Sequence, residues 1–299
     1  MSLVSICIPA FHAAQYLPET LLSIRAQTFT DWELIVTEDG SADGTERLVD
    51  AFREQGAQSV RYLRHAENRG LSATRSTCIR DAFAATVALL DADDYWAPTH
   101  LQDLMEVLSR GDVEIAHSGC VLFDHATGRH LERRAPGREA SADFLNALYA
   151  HRYIIQPSSV AVRRAIFERI GYFDPAFRIC DDMEFWFRAA RAGVRFAYTG
   201  RESCFYRKHA SSLSARGAET VAETAQVYKK HLDWEVRPRA ERRMTAAASF
   251  SNAGRMFFRK SPGRSATNFF ESWKLRPSRV QELAFAGAAW ARSLMQPAG

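Results

Sequence analysis

Asp91, Asp93 and Asp94 stand within four positions of one another in ALLDADDYWAP, residues 88–98. A helix start accounts for one of them, since Pro98 suits a first helical position and Leu101, Leu104, Met105 and Leu108 follow at helical spacing. The aliphatic run TVALL before Asp91 reads as a buried strand, so the acids gather where open α/β sheets bind ligands. A divalent cation explains three carboxylates crowded there. In an extended conformation Asp91 and Asp93, two apart, share one side and can hold that cation together. A calcium EF-hand fails, because Tyr95 and Trp96 stand where its loop needs an oxygen ligand and a glycine.

A second set of acids, Asp181, Asp182 and Glu184, opens a helix around the apolar run 185–187. Acids in a first turn complement the helix dipole. The other use is chemical: a partly buried carboxylate beside other acids has its pKa raised and can serve as a general base. Asp39 in TEDGSADG is either a turn residue or an acceptor for a nucleotide base or ribose hydroxyl. Arg69 and Arg75 flank the glycine of ENRGLSATR, as solvated surface arginines or as forked donors to phosphate or base. Arg207 and His209 in YRKHASSLS sit just past the last predicted strand, where they can fold over a diphosphate or simply be structural.

The elements that must position these residues follow a βαβ rhythm. Strands are predicted at LVSICI, DWELIVTEDG, SVRYLRH and TVALL, alternating with helical segments at AAQYLPETLLSIRAQ, SADGTERLVDAFREQG and STCIRDAFAA. That alternation predicts a mostly parallel sheet flanked by helices. After residue 110 the pattern becomes mixed, with strands at EIAHSGCVLFD and RFAYTG and helices at SADFLNALYAH, RAIFERIG and DDMEFWFRAARAG. From Gly217 onward only helices are expected, so the predicted organisation is residues 1–216 as an α/β domain and 217–299 as a helical, basic extension.

Composition is that of an ordinary globular protein, 46% hydrophobic and 25% charged over 299 residues. The five cysteines are widely spaced with no CxxC pair, so neither a disulfide framework nor a zinc site is suggested, and a cytoplasmic setting is expected. The start MSLVSICIPAF reads as a strand rather than a signal peptide. Residues 229–299 hold 14 Lys/Arg and 5 Asp/Glu, against 25 and 30 in the remainder. This basic tail is read as packed helices, as a nucleic-acid patch, or as a foot on an anionic membrane. Its interleaved Phe257, Phe258, Phe269, Phe270, Trp273 and Trp290 favour helix packing or a membrane interface over nucleic acid, and no nucleic-acid partner is expected.

Six stretches in order make the chain resemble the family 2 glycosyltransferases with the GT-A fold, over roughly residues 3–214. IPAF at 8–11 is similar to the family's IPxYN, TEDGSADGT at 37–45 to DDGSxDGT, and NRGLSATRS at 68–76 to NxGxxxARN. DADD at 91–94 is similar to the D-x-D motif, residues 171–188 to GxFDxxFxxxEDxDLWxR, and YRKHASSLS at 206–214 to YRxHxxSxS. Phe11, His12, Glu38 and Ser76 depart from the pattern. The resemblance implies a single-step inverting transfer of one sugar from a nucleotide-diphosphate sugar, UDP in the commonest donors, to a saccharide or lipid-linked acceptor in surface polysaccharide or glycolipid synthesis. It makes Asp182 the base, Asp93 the direct ligand of Mn²⁺ or Mg²⁺, with Asp91 a ribose or water-mediated contact, and Asp39 the base-reading acid. Pro9, Ala10, Phe11, Arg69, Gly70 and Arg75 complete the expected nucleotide contacts. Asp94 and Asp181 are expected at the donor sugar, Arg207 and His209 at the diphosphate, and His209 also at the metal. The processive enzymes' Q-x-x-R-W is absent from its expected place, which favours transfer of a single sugar.

Two rival classes share parts of this pattern. A nucleotidyltransferase that makes sugar nucleotides needs a Gly-rich basic loop after the first strand, and IPAFHAAQY has none. A non-catalytic nucleotide- or carbohydrate-binding protein would have lost a metal acid or the base, and both are present.

Overall fold

A computed structural model describes residues 4–56, 59–210, 212 and 216–295. The first half runs β1 (Val4–Ala10), α1 (Leu17–Arg25), β2 (Trp32–Glu38), α2 (Thr45–Glu54), β3 (Val60–Arg64), α3 (Leu71–Asp81), β4 (Thr86–Leu89), β5 (Tyr95–Trp96) and α4 (His100–Leu108). β6 (Ile115–Asp124), β7 (His130–Arg134), α5 (Arg138–Ala142), α6 (Phe144–Tyr149) and a 3₁₀ turn at Pro157–Ser159 follow. β8 (Val160–Arg163), α7 (Ala165–Ile170), α8 (Asp181–Arg191) and β9 (Phe196–Lys208) complete the α/β part. Four helices end the chain: α9 (Gly217–Lys230), α10 (Arg239–Phe257), α11 (Pro262–Leu275) and α12 (Val280–Leu294).

The strands form one mixed sheet in the order β3-β2-β1-β4-β8-β6-β9-β5, with β7 on the side of β6. β1 to β4 are mutually parallel, β6 is parallel to β9, and the short β5, β7 and β8 run the other way. β1 and β2 are buried along their whole length, which is why their runs read as continuous apolar sequence rather than alternation. Leu17, Leu21 and Ile24 of α1 close one face over Ile6, Ile8, Leu34 and Val36. Each such fully buried aliphatic side chain contributes roughly 1.5–3 kcal/mol.

The structure departs from the sequence reading at three places that matter. α3 starts at Leu71, not at Ser76, because Gly70 takes φ +89° and turns the loop directly into the helix; Arg75 is therefore a helix residue. β9 continues from RFAYTG to Lys208, so Arg207 belongs to the strand and His209 follows it by one residue. β5, β7 and β8 are two to five residues long, too short to show a period.

The chain divides into two units between residues 210 and 211, whereas the sequence reading put the boundary at 216/217. Part of YRKHASSLS, residues 211 and 213–215, lies outside the described residues. In the helical unit, a Cβ on Gly254 of α10 would lie 2.9 Å from the Phe269 ring of α11, so the two helices meet where only glycine fits.

Candidate active site

Phe11, Asp39, the DADD segment and His209 each follow the carboxyl end of one of the strands that point the same way, β1, β2, β4 and β9, so the topology brings them to one edge of the sheet. Residues 91–94 form a turn closed by the Asp94 N–H on the Asp91 carbonyl at 3.1 Å. The extended conformation expected from sequence is thus corrected, and the side chains of Asp91 and Asp93 go to different partners. Asp91 accepts both its side-chain bonds from Arg75, at 2.7 and 2.9 Å. Asp93 Oδ2 instead meets the Nε2 of His209 at 2.9 Å.

Three residues that the sequence reading missed hold this turn in place. Thr20 Oγ1 of α1 lies 2.9 Å from the Ala92 carbonyl and 2.7 Å from that of Asp94. Ser158 Oγ accepts the Asp91 N–H at 3.0 Å and donates to Asp94 Oδ2 at 2.5 Å, while its carbonyl accepts the Trp96 indole N–H at 2.6 Å. Glu19 pairs with the Arg207 guanidinium. No local pattern announces these partners; Ser158 lies 64 residues from Asp94. Removing the hydroxyl in Ser158→Ala orphans one buried N–H and strips one donor from a buried carboxylate. A loss of about 1–3 kcal/mol is expected, measurable as a lowered denaturation midpoint that Ser158→Thr partly restores.

Asp94 is fully buried, with its second oxygen taken by the Arg207 backbone N–H at 2.9 Å. Burial, with Asp93 and Asp91 adding to it, pushes its pKa well above the carboxylate range. It braces the turn, and the expectation that it faces a donor-sugar hydroxyl is corrected. Arg207 is likewise spent internally, on the Asp93 carbonyl at 2.7 Å, the His125 ring at 3.0 Å and Glu19, so it is a brace for the acidic turn and not an open diphosphate clamp. His209 also packs against Tyr16, with ring centroids 4.5 Å apart and the rings tilted by 32°.

Arg75 joins the two acidic sets. Its Nη1 donates to both oxygens of Asp181, at 2.9 and 2.8 Å, and its Nη2 serves Asp91; Arg75 and Asp181 are buried, while Asp91 is partly exposed. Burial would lower the arginine pKa, but Asp181 and Asp91 override it and keep the cation charged. Burial also raises the Asp91 pKa, against the pull of Arg75. Asp181, fully buried on Arg75, is a positioning residue and not the expected donor-sugar contact. Glu184 is held by Arg188 at 2.8 Å, and Arg188 in turn donates to the carbonyls of Ile170, Gly171 and Tyr172, which fastens the loop before α8.

Asp182 differs from all of these. It is partly exposed, and among the described residues its carboxylate accepts only the adjacent Met183 N–H, at 2.7 Å. Burial first, then the Asp181 charge, raise its pKa to about 7, with Arg75 opposing. Apolar packing of Phe185, Trp186 and Phe187, all buried, anchors the helix that carries it.

On the nucleotide side, Asp39 is buried and organises the loop before α3. Its two oxygens accept the N–H groups of Arg69 and Gly70 at 2.9 and 2.8 Å, and one also meets the His65 Nδ1 at 2.7 Å. Gly40 takes φ +80°, and a Cβ there would lie 2.6 Å from the Glu67 carbonyl carbon, so the two loops can close only around glycine. Pro9 and Ala10 are buried in β1, leaving Phe11 and Arg69 exposed at this edge.

The family model for glycosyl transferase family 2 matches residues 5–171, more than half of the chain. The chain belongs to glycosyl transferase family 2. Among family 2 relatives, the uncharacterized glycosyltransferase EpsJ of Bacillus subtilis is 27% identical over 220 residues, 71% of this chain and 63% of that protein. The Escherichia coli WfaP, a UDP-Glc:alpha-D-GlcNAc-diphosphoundecaprenol beta-1,3-glucosyltransferase, is 22% identical over 77% of this chain and 86% of its own. Among solved structures, Staphylococcus aureus TarS 1-349 with UDP-GlcNAc superposes with a TM-score of 0.70 at 17% identity, over 97% of this chain and 88% of that one. The mannosyltransferase PcManGT of Pyrobaculum calidifontis, with GDP-Man and Mn²⁺, gives 0.62 at 20% identity, over 99% and 88%. The family match places the chain in glycosyl transferase family 2, the chain spans 63% of the length of EpsJ, and the solved neighbours share its GT-A fold.

Proposed function

We propose that the protein transfers a single sugar from a nucleotide-diphosphate sugar to an acceptor hydroxyl with inversion, and that Asp182 takes the acceptor's proton. One observation carries this reading. Of the six acids at 91–94 and 181–184, Asp182 alone lacks a side-chain partner among the described residues, so its carboxylate is the one not already committed to another side chain. A base with pKa near 7 is half ionised at neutral pH, close to the optimum for proton transfer.

The domain assignment that goes with this is 1–216 for transfer and 217–299 for the helical extension. Asp39, Arg69, Gly70 and Phe11 are proposed to receive the base and ribose, and Arg75 to act through Asp91 and Asp181 rather than on the donor. Asp93 and His209 are proposed to hold a divalent cation. Among the described residues no cluster of three or more His, Cys, Asp or Glu is arranged for a metal. Two protein ligands, one hard oxygen and one imidazole, suit Mn²⁺ or Mg²⁺ whose other positions go to water and donor phosphate. The chemistry such a cation supplies is compensation of the charge that grows on the departing diphosphate.

UDP is the proposed base carrier, supported by the UDP-GlcNAc complex of the TarS fold neighbour. A lipid-linked or surface-polysaccharide acceptor, met at the cytoplasmic face of an anionic membrane, is supported by the diphosphoundecaprenol substrate named for WfaP and by the basic helical extension. No described helix is long and apolar enough to cross a membrane, so the association proposed is peripheral.

Calorimetric titration tests the donor site. UDP should bind at least about tenfold more tightly with Mn²⁺ or Mg²⁺ than with EDTA, and Asp93→Ala should remove most of that gain. Equal affinity in EDTA overturns the metal assignment, and tighter binding of GDP than UDP overturns the base assignment.

A further inference from the structure

α12 buries one face and leaves the opposite face apolar. Glu282, Ala286 and Ala289 pack inward, with Ser251 Oγ donating to Glu282 at 3.0 Å and the Phe285 ring 5.4 Å from that of Phe269. Val280, Leu283, Gly287, Trp290 and Leu294 recur at steps of three and four, so they lie along one line of the helix. Their side chains are open: Val280 is 71% exposed, Leu283 42%, Trp290 60% and Leu294 67%. An ordinary surface helix carries charge on such a face. This one carries none, since its two charged residues are the buried Glu282 and the flanking Arg292.

We propose that this face of α12 is a docking surface for an anionic lipid bilayer, into whose interface Val280, Leu283, Trp290 and Leu294 insert. The inference rests on the peripheral-membrane part of the reading above and assigns it to one element. Charge complementarity selects the occupant. Residues 239–295 contain eleven Lys/Arg and three Asp/Glu. Of those acids Glu282 is fully buried, Glu271 is held by Lys229 and Lys274, each at 2.7 Å, and Glu241 lies 3.5 Å from Arg237, so the cations of the segment stay in excess by eleven to three. An apolar stripe within a segment rich in cations suits an anionic interface, where either signal alone gives weak attachment, and Trp prefers that depth. A second copy of the chain suits the surface less well. Antiparallel pairing along the stripe would bring the Arg279 end of one copy toward Arg292 of the other, and the one acid of the helix, Glu282, is buried and already 3.7 Å from Arg279 of its own chain.

The test uses the full chain and vesicles of phosphatidylglycerol with phosphatidylcholine, against phosphatidylcholine alone. The native chain should sediment with the anionic vesicles and be released by salt. Leu283→Ser/Trp290→Ser/Leu294→Ser, all at exposed positions, should lower partitioning by about tenfold or more while UDP affinity and the unfolding midpoint stay unchanged. Undiminished binding of the triple variant overturns the α12 assignment and leaves membrane association standing. No binding of the native chain to anionic vesicles overturns both. A reversible dimer in sedimentation equilibrium that the triple variant abolishes gives the stripe to a second copy and overturns the lipid assignment. The UDP titration reports separately on the transferase reading, so failure of one is distinguishable from failure of the other.

Discussion

Asp182→Asn is expected to keep nucleotide affinity within about twofold and to lose about 10²- to 10⁴-fold in turnover, the usual scale for removing a general base. Asparagine keeps the shape and can still accept the Met183 N–H, so α8 and its apolar anchor are undisturbed. What it lacks is a basic lone pair at neutral pH. Asp181→Asn disturbs Arg75 and should act through stability, and Glu184→Gln should act by loosening Arg188 and the 170–172 loop; neither should abolish the chemical step. The native enzyme should gain activity as pH rises through about 7, because the ionised form is the base. Stability runs in the opposite sense. The folded pKa lies above the roughly 3.9 of an unfolded aspartate, so this group's contribution is complete below about pH 4 and is lost as pH rises through about 7. Near-native turnover of Asp182→Asn on the true acceptor, a rate independent of pH between 6 and 8, or a product with retained anomeric configuration would each reject the assignment.

Arg75→Met carries the largest expected cost in stability. The guanidinium is the shared cation of Asp91 and Asp181, and its loss leaves the buried Asp181 and the partly exposed Asp91 without their counter-charge. Removing one partner of a buried ion pair costs about 3–5 kcal/mol. At roughly 2–4 °C per kcal/mol, the melting point should fall by about 10 °C. Arg75→Lys should recover only part, because one ammonium cannot reproduce a fork that reaches two carboxylates. Arg75 also opposes the upward shift of Asp182, so in any variant that folds the pH–rate profile should move toward alkaline pH. The double change Arg75→Met/Asp181→Asn should lose less than the sum of the two single changes, as coupled groups do. Strict additivity, together with an unmoved pH profile, would show that Arg75 does not link the acids.

Much of this molecule was legible in local sequence. Buried strands announce themselves as apolar runs, the amphipathic α1 by its leucines, and the acids by their crowding at strand and helix starts. These are properties of neighbouring residues, set by side-chain volume, backbone propensity and the two periodicities of helix and strand. Asp93, Asp182 and His209 stand out as candidates in the sequence for that reason. The roles of the acids were not, because each depends on a partner brought in from far along the chain. Arg75 reaches Asp181 across 106 residues, Asp93 meets His209 across 116, and Arg207 braces Asp94 across 113. A carboxylate matched by a buried guanidinium and one left half open to solvent are the same letter in the sequence. Which of them keeps a lone pair, and at what pKa, is decided by desolvation and by the charges that the folded sheet sets beside it.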